Sequence, residues 1–118
     1  MSTYLVAFAV GDFAYGKQET PSVPEYRFLT RPSERNHTQK ALYFGPRVLA
    51  HFEKYFGIQF PLPKIDTLAT PDFSPGAMEN YGLITYREAY VLYEDRLAAA
   101  PKLYDLSVII AHELAHQW

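Results

Sequence analysis

The chain has 118 residues, 48% of them hydrophobic and 16% aromatic, with a formal net charge of −2 and no cysteine. That length allows one ordinary domain, and that composition is ample for a buried core and excludes disorder. The near-neutral charge leaves no electrostatic footprint for nucleic acid or an anionic membrane, and without cysteine any metal site must draw on His, Asp and Glu.

The elements follow in chain order. Tyr4–Val10 is a short apolar run bounded by Gly11-Asp12 and predicts a buried strand. It is not a signal peptide, because no basic n-region precedes it. Nor does any apolar run approach the ~20 residues that cross a bilayer, so no membrane-spanning segment is expected. GDFAYGKQETPSVPEY predicts a turn-rich connection, and Tyr26–Thr30 a second strand. Arg31-Pro32 marks a boundary, since the residue before proline avoids helical geometry.

Ala41, Leu42, Gly45, Leu49, Phe52 and Phe56 then recur at helical spacing up to Gly57, a C′ stop. Pro46 lies inside that pattern and predicts either a shorter helix with proline in its first turn or a kinked longer one. A strand is expected over Ile65–Ala69, a loop over PDFSPGAMENYG, and another strand near Leu83–Arg87. The last helix should start near Pro101 and run through LYDLSVIIAHELAHQW. The sum is an α+β pattern with a small all-β preface.

Two stretches carry chemistry. In HELAHQW, His112 and His116 lie four apart on one helix face, so both imidazoles can reach one tetrahedral ion. Glu113, about 100° around the helix from His112, can reach water at that ion without ligating it, as a general base must. Leu103, Leu106, Ile110 and Leu114 form an apolar stripe that would bury the helix and fix the ligands. The competing reading is a pair of partly exposed surface histidines, which is also how His37 and His51 read. The second stretch is Gly76-Ala77-Met78-Glu79-Asn80. Its glycine permits close backbone approach, its extended backbone could pair with a bound peptide, and its carboxylate could hold an ammonium group. Alone, it also reads as a structural loop with an exposed glutamate.

Taken together, GAMENYGLITYRE and HELAHQW resemble the gluzincin aminopeptidases, the aminopeptidase N family, and YLVAFAVGDF, YFGIQFPLPKID and PDFSPGAMENYG resemble the same family in the same order. The resemblance covers essentially the whole chain. It implies a zinc metallo-aminopeptidase that removes single N-terminal residues from peptides with a free terminal amine. His112 and His116 match its first two zinc ligands and Glu113 its general base. Glu79 matches the glutamate that binds the substrate's α-amino group. Gly76, Ala77 and Met78 match the backbone along the substrate, and Asn80 completes that motif.

By the same resemblance, residues 1–30 match the end of a β-sandwich domain and residues 31–118 the start of a thermolysin-like catalytic domain, truncated at both ends. The third zinc ligand, a glutamate, and the tyrosine that steadies the tetrahedral intermediate would fall beyond Trp118. The 118-residue piece alone is therefore expected to be inactive and to hold zinc weakly. The family includes membrane-anchored ectoenzymes and cytosolic peptidases; the stretch from Pro71 to Glu94 is closer to the surface type, which favours the plasma membrane or extracellular face. Two other readings stand beside this one. A zinc endopeptidase would have no use for an ammonium anchor, and a non-catalytic cell-surface binding protein or receptor could keep the fold.

Overall fold

Alternating residues give β2 (Glu25–Thr30) one buried side, with Tyr26, Phe28 and Thr30 inward and Glu25, Arg27 and Leu29 only half-buried. A computed structural model describes residues 1–23, 25–94 and 100–118. Around β2 it places β1 (Ala14–Gln18), β3 (Lys64–Thr70), β4 (Ala77–Met78) and β5 (Leu83–Arg87) in one sheet of order β1-β2-β3-β5-β4. β1 and β4 run antiparallel to their neighbours, whereas β2, β3 and β5 are mutually parallel. The middle strand β3 is buried from Ile65 through Ala69, as expected of a strand covered on both faces.

Among the described residues, the α-helices α1 (Gln39–Phe56), α2 (Glu88–Val91) and α3 (Ala100–Ala115) complete the α+β fold. Leu49 of α1, Leu106, Ile110 and Leu114 of α3, and Tyr26, Phe28, Ile65, Ile84 and Tyr86 of the sheet form one core cluster. α1 runs unbroken through Pro46, which is buried beside Gly45. Gly45 lets the helix approach the sheet: a Cβ there would lie 2.1 Å from the Tyr26 hydroxyl. Gly57 ends α1 in the left-handed region, with φ of 69°. Phe52, Phe56 and Phe60 then pack around Trp118, whose Nε1 donates to the Ile58 carbonyl at 2.9 Å.

The expected first strand is not formed. Tyr4–Val10 is instead a 3₁₀ turn at Thr3–Leu5 followed by irregular chain, with Phe8 and Val10 about nine-tenths exposed. The run is apolar enough for a strand, but no neighbouring strand pairs with it among the described residues. The strand lies further on, at Ala14–Gln18, inside the stretch expected to be a turn-rich connection, and it pairs from Ala14↔Thr30 to Gln18↔Tyr26. Pro24 of that connection lies outside the described residues. The loop expected over PDFSPGAMENYG contains the short strand β4. β1 and β2 precede Arg31 yet share the sheet with the strands that follow it. No helix among the described residues is long and apolar enough to cross a membrane.

Candidate metal and active site

α3 buries Leu106, Ile110 and Leu114 against the core, which fixes the rotation of the helix and hence the direction of its last turn. His112 Nε2 and His116 Nε2 face each other at 3.2 Å, with ring planes at 74°. Two nitrogens bound at about 2.05 Å to a tetrahedral zinc would be separated by roughly 3.3 Å. The pair is thus already spaced as two ligands of one ion, and without an ion one ring N–H can donate to the other nitrogen. α3 ends at Ala115, earlier than expected, and His116 sits in the turn that follows. The histidines nonetheless keep their helical offset.

Glu113, between them in sequence, is only 6% exposed. Its Oε2 is buried without a hydrogen-bond partner. Burial pushes its carboxyl above the ordinary range; His112 opposes that shift, nearby Glu79 adds to it, and His116 opposes it again. An unpartnered buried carboxylate oxygen is costly unless something is meant to meet it. The two histidine nitrogens fit zinc as ligands, and the Glu113 carboxylate beside them is placed to meet a water at that ion.

The GAMEN stretch reaches the same place along the sheet edge. Gly76 turns with φ of 89°, and a Cβ there would lie 2.8 Å from the Tyr90 ring, so glycine is required twice over. Arg87 clamps the turn by donating to the carbonyls of Phe73 at 2.9 Å and Ser74 at 2.8 Å. Ala77 and Met78 then pair with Tyr86 and Thr85 of β5. β4 is the last strand on its side, so its outer edge is unpaired among the described residues. Asn80 is buried and its carbonyl accepts from Leu83 N–H, closing the turn into β5. The result is that ligand atoms of Glu79, Glu113 and His116 all lie within 4.8 Å of one another.

His37 and His51 are not part of this group. His51 is exposed and stacks on Tyr55, as a surface histidine would. His37 is half-buried, its Nδ1 2.8 Å from Glu34. It lines a cleft of about 500 Å³ with Arg31, Arg87 and Glu88, which shares no residue with the α3 group. Its charges pair internally, Arg31 meeting Glu88 through two bonds of 2.7 and 2.9 Å. Among the described residues, that cleft offers no buried unpartnered side-chain atom, whereas the α3 site does.

Two neighbours of the site carry no motif of their own. The Tyr4 hydroxyl donates to Glu79 Oε1 at 3.4 Å, and the Leu5 carbonyl accepts from Tyr81 N–H at 3.0 Å. Gln117, buried behind His116, bonds the backbone on both sides of Asn80-Tyr81. Gln117 adjoins the histidine motif, but nothing in the spacing reveals what its amide spans.

A carboxylate beside a sheet edge, set against two histidines and a second carboxylate at the end of α3, offers the residue types that metal-dependent hydrolases use. Comparison with known proteins narrows that class: residues 40–118 match the model of the peptidase family M1 domain, and the chain belongs to that family. It is similar over all 118 residues to aminopeptidase N of Haemonchus contortus, at 48% identity, and to human endoplasmic reticulum aminopeptidase 2, also at 48%. Identity to the puromycin-sensitive aminopeptidase of Caenorhabditis elegans is 42% over the same span. The chain covers 12% of the length of each of these relatives.

Proposed function

We propose that these residues form the first half of the active site of a zinc aminopeptidase, which removes single residues from peptides with a free N-terminal amine. The observation that carries this reading is the convergence of Glu79, beside the sheet edge, on Glu113 of α3 and on His116 in the turn that follows it. His112 and His116 would hold the zinc, with a further carboxylate supplied from outside residues 1–118. When bound, zinc supplies Lewis-acid polarisation of the scissile carbonyl and makes water acidic enough to attack at neutral pH.

The chain's own residues do the rest. Glu113 takes the attacking water's proton on its unpartnered Oε2 and returns it to the leaving amine. Glu79 accepts hydrogen bonds from the substrate's ammonium group and so sets where the chain begins relative to the reacting groups. The free edge at Ala77-Met78 offers backbone groups to the extended peptide as an added strand. Positioning of this kind can lower a barrier by several kcal/mol. We also place β1 and β2 with the catalytic unit, because they pair into the common sheet.

The names of the relatives support an aminopeptidase, and intact histidines and carboxylates give a non-catalytic binding role no support. The test is metal removal and base removal in the full-length protein. Chelation should abolish cleavage of alanine 4-nitroanilide, and zinc should restore it. Glu113→Gln should lower kcat by about 10²–10⁴-fold with zinc content unchanged. Activity that survives chelation, or a Glu113→Gln variant as fast as the parent, would refute the reading.

A further inference from the structure

Beyond the motif residues, we propose that Gln117 is a positioning residue that sets the spacing between the ammonium anchor at Glu79 and the histidine face of α3. This inference rests on the reading of Glu79 given above. Gln117 directly follows His116 and is 9% exposed. Its Nε2 donates to the carbonyl of Glu79 at 3.2 Å, and its Oε1 accepts from Gly82 N–H at 3.2 Å. The two partners fix the amide's orientation, since a carbonyl can only accept and an N–H can only donate. A carboxylate could satisfy Gly82 but not the Glu79 carbonyl.

The strap joins two elements that otherwise lie apart in the chain. Its Glu79 end is the backbone of the residue whose carboxylate is to grip the ammonium group. Its far end is Gly82, at φ of 75°, whose carbonyl in turn accepts from Asp66 N–H at 3.0 Å and from Lys64 Nζ at 3.2 Å. The turn is therefore tied to β3 on one side and to the turn that ends α3 on the other. A side chain in that position does not touch substrate. It determines how far the anchor stands from the metal-binding face, the distance that makes cleavage stop after one residue.

Two ligands separate a spacing role from simple support of the fold. Alanine hydroxamate can engage the metal and the ammonium anchor together; acetohydroxamate engages the metal alone. In the zinc-loaded full-length protein, Gln117→Met removes both hydrogen bonds with little change in length. It should weaken alanine hydroxamate about tenfold and leave acetohydroxamate within about twofold. Should Gln117→Met not fold, Gln117→Glu, which keeps only the acceptor for Gly82 N–H, should move the two affinities in the same pattern. Equal weakening of both ligands would make Gln117 a support for α3 and overturn the inference, as would no change in either. Glu79→Gln is the control: it should erase the advantage of alanine hydroxamate over acetohydroxamate. If it erases that advantage while the Gln117 variants change nothing, only Gln117 is misassigned. If it leaves the advantage intact, the Glu79 reading fails and this inference with it.

Discussion

Gly76 illustrates how little freedom single residues have at this site. Its φ of 89° lies where side chains are strained, and any Cβ would meet the Tyr90 ring. The next three residues are Ala77, Met78 and Glu79, so an error here is passed directly to the peptide edge and the anchor. Gly76→Ala should cost about 1–2 kcal/mol of stability from the backbone alone. It should also raise KM for alanine 4-nitroanilide more than it lowers kcat, because the zinc-bearing helix is untouched. Steady-state kinetics with a denaturation curve checks both parts, and an unchanged KM would contradict the assigned role of the turn. Glu113 makes the complementary point. A buried carboxylate with an unpartnered oxygen is a poor structural element but a good proton acceptor.

Among the elements, the sheet is pinned by an ion pair on adjacent strands. Arg27 of β2 donates to both carboxylate oxygens of Asp66 on β3, at 2.5 and 2.7 Å, and Lys64 Nζ adds a third bond at 2.8 Å. Burial pushes the Asp66 carboxyl up, but the bonds from Arg27 and Lys64 and their charges bring it net below its ordinary value. A carboxylate held below its unfolded value contributes stability above that unfolded value and loses it as pH falls through the folded one. Asp66→Asn should therefore cost about 1.5–3 kcal/mol at neutral pH. The difference from the parent should shrink as pH falls below about 4. Melting curves at pH 7 and pH 3 measure it; a pH-independent difference would mean the charge is not what matters.

The same scale shows what the sequence could reveal. α1, β5 and α3 were legible because apolar residues recur at the period of the element and glycine or proline punctuates its ends, as Gly57 does for α1. Pro46 was ambiguous, since only the tertiary packing around it, buried beside Gly45, decides whether a helix continues past proline. β4 was hidden because two residues carry no period, and its pairing with β5 is a tertiary event. The apolar run Tyr4–Val10 misled for the converse reason: it has strand composition, but no strand among the described residues pairs with it. The site was legible in its motifs and opaque in its supports. His112, Glu113, His116 and Glu79 are named by spacing and resemblance. Gln117 and Tyr4 matter through contacts across the fold, which no local pattern encodes.

At the scale of the molecule, two independent structures are brought to one point. The core holds α3 against the sheet, and the sheet carries its own edge to the same end of α3. A metal half-site on its own would serve an endopeptidase equally well; in the proposed reading it is the carboxylate at Glu79 that would restrict the substrate to one with a free terminus. The most direct measurement is the rate at which the full-length protein cleaves alanine 4-nitroanilide and its N-acetylated counterpart, repeated with Glu79→Gln. The account predicts that acetylation lowers kcat/KM by about 10²-fold or more in the parent, the scale of a lost charged pair. In Glu79→Gln the free-amine substrate should fall to nearly the acetylated level. Equal cleavage of both substrates by the parent, or discrimination that survives Glu79→Gln, would contradict it.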